Sequence, residues 1–444
     1  MPRKDAIEKD HDIALAAYWR VACPDLGLSD LSTMTGVNRN TLGRRLEEAE
    51  RREWIAGDWI FKQMPDQLWA VLAQATHGHL QEEMMRHYGA RNLPELIVVP
   101  AWPPKTATAR SPVEEGEIDE INMRMVAHRA AQIFMKRLPQ MTVIGMSYGR
   151  TLREMVDMLE HYGTAAKRPA SDAPDSGGIS DIRRRIVTII GSLSFDFSDP
   201  RHSEWLECSA SHLANRLARI LGIKEWQRFF LETPVYVPPA FLDEFSAKEP
   251  SEVELREIHQ KINETEALRI AKAFVKAIPT YRDVFVKGKD SAIEQLDTVI
   301  TSVGDLDTGF GSLPERAAAP LLRKGEFEAL RKEAVGDIAG RYLTAEGMTG
   351  KPGSTIANVN DRIFGLTIED LERIAERAAQ NGTPGVIVIA SSKKKARVIS
   401  ALLKRPNKVI SVLIISGDLA EELVPQESAA KKSTAKKSSR RSMP

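Results

Sequence analysis

The feature that most constrains this chain is an alternation of short, β-branched apolar runs with helical patterns. The runs are Leu96–Val99, Thr142–Ile144, Ile186–Ile190, Thr298–Ile300, Val386–Ile389 and Val409–Ile415. A run that is apolar at every position suits a strand buried on both faces, as in a parallel sheet. Helical patterns follow several runs, at Thr151–His161, Trp205–Leu221 and Lys394–Leu403, and another at Ile368–Gln380 precedes one. The alternation predicts an α/β fold with a doubly wound sheet built from right-handed βαβ units. Ligands of such sheets bind at the carboxyl ends of the strands. The loops just after the strands are therefore the first places to look for chemistry.

Residues 9–55 have a different texture, helical throughout. An amphipathic helix begins at Asp12–Trp19. A second, Leu28–Thr35, ends at Gly36, a natural left-handed terminator. Asn38 can cap a third helix, in which Leu42, Leu46 and Ala49 share one face. Arg39, Asn40, Thr41, Arg44 and Arg45 lie on the others. A short helix, a glycine turn and a helix rich in polar donors make a helix-turn-helix pattern. Arg matches guanine and Asn matches adenine in the major groove, while Thr suits a methyl or a phosphate. The candidate DNA-binding residues are Asn38, Arg39, Asn40, Thr41, Arg44 and Arg45. The bland alternative is a helical hairpin with a solvated arginine face.

The chain has 444 residues, too many for one ordinary domain of roughly 100–200 residues. Its net charge of +1 argues against a protein that coats nucleic acid generally. The charge is unevenly placed. The segment 426–444 carries six basic residues against Glu427, and the stretch 38–46 holds three arginines and no acid. The basic end lacks aromatic and branched aliphatic residues, which predicts a disordered tail, a solubiliser or a non-specific contact to DNA phosphates. No apolar run approaches the roughly 18 residues of a membrane helix, and the first residues do not read as a signal peptide. Two cysteines, Cys23 and Cys208, cannot build a disulfide framework, so a reduced cytoplasm is expected. The histidines show no metal-ligand spacing, and neither a nucleophile elbow nor a Walker loop occurs, so no metal or cofactor is expected. Two loops are predicted, at 102–116 and 163–180, the second long enough to be an insertion.

Four motifs, in order, resemble those of SorC-family sugar-responsive transcriptional regulators. Thr35-Gly36-Val37-Asn38-Arg39-Asn40-Thr41-Leu42-Gly43-Arg44-Arg45-Leu46 resembles the family's recognition helix. Gly145-Met146-Ser147-Tyr148-Gly149-Arg150-Thr151 resembles its G-x-S-x-G-R-T loop, and Ala334-Val335-Gly336-Asp337-Ile338 its A-V-G-D-I segment. Asp361-Arg362-Ile363-Phe364-Gly365 resembles its D-R-x-x-G segment. The resemblance runs from about residue 10 to about 424. It implies an N-terminal DNA-binding domain and an effector domain related in fold to ribose-5-phosphate isomerase and glucosamine-phosphate deaminase. It also implies a sugar or sugar-phosphate effector, and assembly into homodimers or homotetramers.

The expected organisation is a helix-turn-helix domain at 1–62, a linker helix at 63–90, an α/β effector domain at 91–425 and a basic tail at 426–444. The linker, with Leu68, Leu72, Leu80, Met84 and Met85, packs either against a second subunit or within the chain. The Gly145 loop lies between a strand and a helix, where Gly145, Ser147, Gly149, Arg150 and Thr151 could cradle an anion at the helix N-terminus. A tight turn with glycines for geometry alone is the alternative. Gly191 ends a strand beside it. Asp337 is a candidate for bonding a sugar hydroxyl or for capping a turn. Lys395 matches a family lysine that faces the ligand, or begins a solvated helix. The family's G-G before that lysine is Ser391-Ser392 here, its T-D after the last strand is Ile415-Ser416, its glycine before A-V-G-D-I is Glu333, and Gly43 replaces a usual serine. The expected function is a DNA-binding regulator gated by a sugar or sugar phosphate, contacting double-stranded operator DNA. The alternatives are an effector-independent DNA-binding protein with a degenerate pocket and, behind it, an isomerase- or deaminase-like enzyme. No catalytic residue is expected.

Overall fold

The structure is a computed structural model that describes residues 4–55, 80–89, 93–102, 115–166, 184–191, 206–231, 264–285, 291–306 and 325–424, with positions 66, 69, 72, 237 and 322. The predicted basic tail and most of the predicted loops at 102–116 and 163–180 lie outside the described residues, as does much of the linker before Leu80.

Three helices open the chain: α1 (Lys4–Ala22), α2 (Leu28–Thr35) and α3 (Arg39–Arg51). Gly36 ends α2 in the left-handed region at φ 69°, and its N–H donates to the Ser32 carbonyl at 2.9 Å. Leu31, Met34, Leu42, Leu46 and Ala49 bury together with Ile13, Ala14 and Ala17 of α1. Two ion pairs clasp α3 to α1: Arg45 to Asp12, and Arg52 to Asp10 at 2.6 Å.

The strands and helices then alternate as predicted. α4 (Leu80–Tyr88) leads to β1 (Glu95–Val99), α5 (Glu115–Arg137), β2 (Val143–Met146), α6 (Arg150–Ala166), β3 (Arg185–Thr188), α7 (Ala210–Ile220) and β4 (Arg228–Phe229). α8 (Glu264–Ala277), α9 (Pro279–Phe285) and α10 (Ala292–Gln295) precede β5 (Thr298–Thr301) and β6 (Val303–Asp305). The rest is α11 (Glu326–Glu333), β7 (Gly336–Ile338), β8 (Arg341–Leu343), α12 (Thr355–Asp361), α13 (Ile368–Asn381), β9 (Gly385–Ala390), α14 (Ala396–Leu403), β10 (Val412–Ser416) and α15 (Gly417–Glu422).

Seven strands form one sheet in the order β1-β10-β9-β5-β2-β3-β4, and every neighbouring pair is parallel. Both faces are buried, which is why the strands read as unbroken apolar runs. Ile144, Ile186, Ile300, Ile387, Ile389 and Ile414 join the core with α1, α5 and α6. Val143, Val187, Val299, Val386, Val388 and Leu413, one residue out of phase, join the core with α13 and α14. The chain leaves β2 toward β3 but leaves β5 toward β9, so the winding reverses between β2 and β5. That reversal is the topological switch point where open α/β sheets bind ligands.

Two features depart from the periodicity reading. A second, antiparallel sheet, β6-β7-β8, carries the A-V-G-D-I segment on its middle strand. Its strands have three residues each, too short for a period to be read. The last helix of the linker packs within the chain. Leu80 and Met84 are buried with the sheet's core, and the Tyr88 hydroxyl donates to the Leu423 carbonyl at 3.0 Å. Met85 is exposed.

The N-terminal helices are docked on the α/β layer. The Tyr18 hydroxyl of α1 donates to the Pro100 carbonyl, just past β1. The Tyr18 ring lies 6.5 Å from that of Trp102. The Trp102 amide donates to Asn122 Oδ1 of α5 at 2.7 Å, and Asn122 Nδ2 donates back to the Trp102 carbonyl at 3.2 Å. Among the described residues no helix is long and apolar enough to cross a membrane.

Candidate functional site

The candidate residues fall into two separate clusters. On α3, Arg39, Asn40 and Arg44 are exposed and Thr41 is half-buried. Arg39, Asn40, Gly43, Arg44 and Glu47 line an open groove with Leu28 of α2, about 550 Å³ in volume. Leu42, Leu46 and Ala49 hold the opposite face inward. The other two candidates have work inside the fold. Asn38 Oδ1 accepts from the Asn40 amide at 2.9 Å and so caps α3. Arg45 turns toward α1 and pairs with Asp12. The donors presented to solvent are therefore Arg39, Asn40 and Arg44. Glu47 sets one carboxylate beside them.

The second cluster gathers at the switch point. Ser147 follows β2, is buried, and donates its amide to the Ile300 carbonyl of β5 at 3.0 Å. Gly149 donates its amide to the Cys208 carbonyl at 3.0 Å, and its own carbonyl accepts from Arg153 at 3.0 Å, starting α6. Gly149 has φ 139°, and a Cβ there would stand 2.7 Å from Ser302 Oγ, so the turn requires glycine. Arg150 and buried Thr151 form the first turn of α6. Asp337, buried on β7, accepts at Oδ2 from the Tyr148 hydroxyl at 3.1 Å and from the Gly340 amide at 2.8 Å. The turn-capping role is thus realised, and the same carboxylate is joined to the Gly145 loop. Burial first, and then the Asp337 charge, push the Tyr148 hydroxyl well above the usual tyrosine range, which keeps it a donor.

Lys395 comes from the 3-10 turn Lys393–Lys395 after β9. Lys393 and Lys394 point to solvent, whereas Lys395 is partly covered. Burial pushes its pKa down to about 8. Asp305, Asp337 and Asp119 oppose that shift, and Arg150 adds to it. Asp119 of α5 also accepts from Ser392 Oγ at 3.4 Å. Lys395, Arg150, Asp305, Asp337, Asp119 and Tyr148 thus form one electrostatic neighbourhood over the carboxyl ends of β2, β5 and β9.

Two of the predicted contact residues, Gly145 and Gly191, have packing roles. Gly145 lies within β2, where a Cβ would stand 2.5 Å from Ile189 Cγ2 and 3.1 Å from Leu296 Cδ2. Its bareness serves strand packing. The Gly191 amide donates to the Phe364 carbonyl at 3.1 Å, beside the bridge between Ile190 and Gly365 of the D-R-x-x-G segment. Sequence reading missed Tyr148, Asp305 and Asp119. Tyr148 sat inside a quoted motif and was passed over as a variable position. Asp305 lies just past a predicted strand, a placement that could have flagged it. Asp119 lies within a long helix, and nothing local marks it. Among the described residues no group of His, Cys, Asp and Glu is arranged to hold a metal ion.

The family model for the sugar-binding domain matches residues 280–425, which include β5, the A-V-G-D-I strand, the D-R-x-x-G segment and Lys395. The transcriptional regulator LsrR of Klebsiella pneumoniae subsp. pneumoniae is 28% identical over 131 residues, 28% of this chain. The alignment spans 36% of that regulator's length. The full-length sorbitol operon regulator SorC from Klebsiella pneumoniae shares the fold, with a TM-score of 0.52 over 92% of this chain and 98% of that one at 15% identity. The family match contains two of the four motifs, and the resemblance to the SorC-type transcriptional regulators is borne out in fold: a helical N-terminal region is followed by a parallel-sheet α/β domain that contains the match to the sugar-binding family.

Proposed function

We propose that this chain is a DNA-binding transcriptional regulator whose grip on an operator is gated by a sugar or sugar-phosphate effector held over β2, β5 and β9. The observation that carries gating is the docking of α1. Asp119 of α5 faces the site through Ser392, and Asn122, one turn along the same helix, holds Trp102 against Tyr18 of α1. α1 is clasped in turn to the recognition helix through Asp12 and Asp10. A rearrangement of α5 on ligand binding would be felt by α3. An effector changes operator affinity only by its different affinity for the two arrangements.

The protein would act in the cytoplasm as a homodimer or homotetramer. One recognition helix per chain requires two-fold symmetry to read half-sites about 34–36 Å apart, or a multiple. Binding rather than turnover is the use proposed for the pocket, in which the Asp337 carboxylate holds the Tyr148 hydroxyl and the Gly340 amide. A second reading, DNA binding independent of any effector, draws on Ser391-Ser392 and Ile415-Ser416, where the family motif differs. The test is fluorescence anisotropy with DNA from upstream of the gene, with and without a panel of sugars and sugar phosphates. A ligand-dependent change in affinity that Thr151→Ala removes supports gating. Operator binding that no panel member alters supports the second reading.

A further inference from the structure

Gly43 stands in the body of α3, where glycine is the poorest choice short of proline. Its backbone is ordinary helix, so no special conformation asks for glycine. Packing does not ask for it either. Among the described residues, a Cβ at Gly43 would meet only Leu28 Cδ1, at an ordinary contact distance of 4.0 Å. Gly145 and Gly149 differ, since a Cβ on them would stand 2.5 Å and 2.7 Å from a neighbour. The bareness of Gly43 therefore serves no contact inside the protein. It leaves a gap, and the gap opens into the groove that Leu28, Arg39, Asn40, Arg44 and Glu47 line with it.

Asn40, Gly43, Arg44 and Glu47 follow one another at i, i+3, i+4 and i+7, so they share one face of α3. Recognition helices of homeodomains read base edges in the major groove with that spacing. The groups around the gap are exposed, and Arg44 Nε donates back to the Asn40 carbonyl at 3.3 Å rather than to Glu47. Two guanidiniums draw the groove toward DNA. A carboxylate in the same wall repels a phosphate that enters, but it accepts from the amino group of a cytosine. The groove thus suits base edges better than backbone. Within it the gap is the apolar spot, bounded by the Gly43 Cα and half-buried Leu28. The apolar group that base edges offer in the major groove is the C5-methyl of thymine.

We infer that Gly43 is a specificity-determining residue, whose missing side chain, beside Leu28, admits the C5-methyl of a thymine in each operator half-site. This rests on the proposal that α3 reads DNA, and it names one base that α3 reads.

The test uses the full chain. A duplex is selected by the wild type from a pool of randomised DNA, then made again with dU in place of each dT of one half-site in turn. The replacement removes the methyl and keeps the base pair. Fluorescence anisotropy reads the affinities. At one dT the replacement is expected to weaken the wild type about fourfold, the equivalent of about 0.8 kcal/mol for one buried methyl. Gly43→Ala puts a methyl of its own into the gap. It is expected to raise the unfolding midpoint and yet to bind the selected duplex about tenfold more weakly, as a mismatched base pair would. At the same dT, dU is expected to strengthen the binding of Gly43→Ala. One replacement with opposite signs in the two proteins is an outcome that a role in the fold alone does not produce. A wild type indifferent to every dU overturns the inference and leaves DNA reading intact. So does a Gly43→Ala variant that binds the selected duplex as tightly as the wild type, or one that dU weakens as well. If the wild type enriches no duplex from the pool, the DNA reading falls and takes this inference with it.

Discussion

Arg44 and Arg45 are neighbours in sequence with opposite tasks. Arg44 lines the exposed groove of α3, whereas Arg45 is clasped to Asp12 on α1. Arg44→Ala should weaken DNA binding with no change in unfolding midpoint, since an exposed arginine contributes little to the fold. Arg45→Ala should lower stability by up to about 1 kcal/mol, the usual range of a partly exposed ion pair. Chemical denaturation and anisotropy on the two variants separate the roles; equal losses of DNA affinity with no loss of stability for Arg45→Ala would put Arg45 back on the DNA face. Periodicity could tell that these arginines lay off the apolar stripe, but not which flank would meet α1. That information sits in Asp12, more than thirty residues away. Lys395 offers a test by pH. Its pKa is about 8 in the fold against an ordinary 10.5, so between those values the unfolded chain binds more protons and stability on this group's account rises with pH. Below about 8 the full cost of its buried charge is present. The stability gap between Lys395→Met and the wild type should therefore be largest near pH 7 and close as pH rises from about 8 to about 10.5. A gap that stays constant across that window would place the ammonium in water.

At the scale of elements, what was legible followed from how a strand or a helix advertises itself. Strands buried on both faces read as continuous apolar runs, and all six predicted runs became strands of the parallel sheet. The three-residue strands β6, β7 and β8 carry too few positions to show a period. They bring Asp305 and Asp337 near Lys395; Asp337 was legible through its motif, whereas no motif or period marks Asp305. Helix starts were legible through their caps, and α3 shows why a cap should not be counted twice. Asn38 accepts from the Asn40 amide, and that bond fixes the orientation of its side chain toward the helix end. Asn38→Ser keeps a capping oxygen and should leave stability nearly unchanged, whereas Asn38→Ala should cost about 1 kcal/mol. The check on DNA is sharper. Asn38→Ser should retain operator affinity, and a variant that caps α3 yet loses the operator would return Asn38 to the reading surface. The same helix holds Gly43, where an added Cβ meets only Leu28 Cδ1 at 4.0 Å. Gly43→Ala should therefore raise helix stability by about 1 kcal/mol.

On the proposed function the whole molecule joins a DNA-reading unit to a ligand-holding one, and the near-neutral total charge conceals that division. The groove of α3 holds two of the three arginines of the acid-free stretch, beside Glu47. Four motifs in order carried the resemblance, because each marks one loop or helix end at a fixed place in the fold. The docking between the units was not legible. It depends on Tyr18, Trp102 and Asn122, none of which belongs to a motif. It makes the last prediction. Asn122 is buried and satisfies both the amide and the carbonyl of Trp102, so Asn122→Ala leaves two buried backbone groups unmet. That loss should cost about 1–3 kcal/mol. Tyr18→Phe removes the bond to the Pro100 carbonyl and keeps the ring between Trp69 and Trp102. It is therefore the gentler probe of the joint. If the units communicate through this joint, Tyr18→Phe should bind sugar and operator DNA separately as the wild type does, while the coupling between the two ligands shrinks. Couplings of this kind are typically about 1–3 kcal/mol. The measurement is a thermodynamic cycle: operator affinity with and without a saturating sugar, and sugar affinity with and without DNA. A full-sized coupling in Tyr18→Phe and in Asn122→Ala alike would mean that the signal reaches α3 by another route, such as a change in the arrangement of subunits.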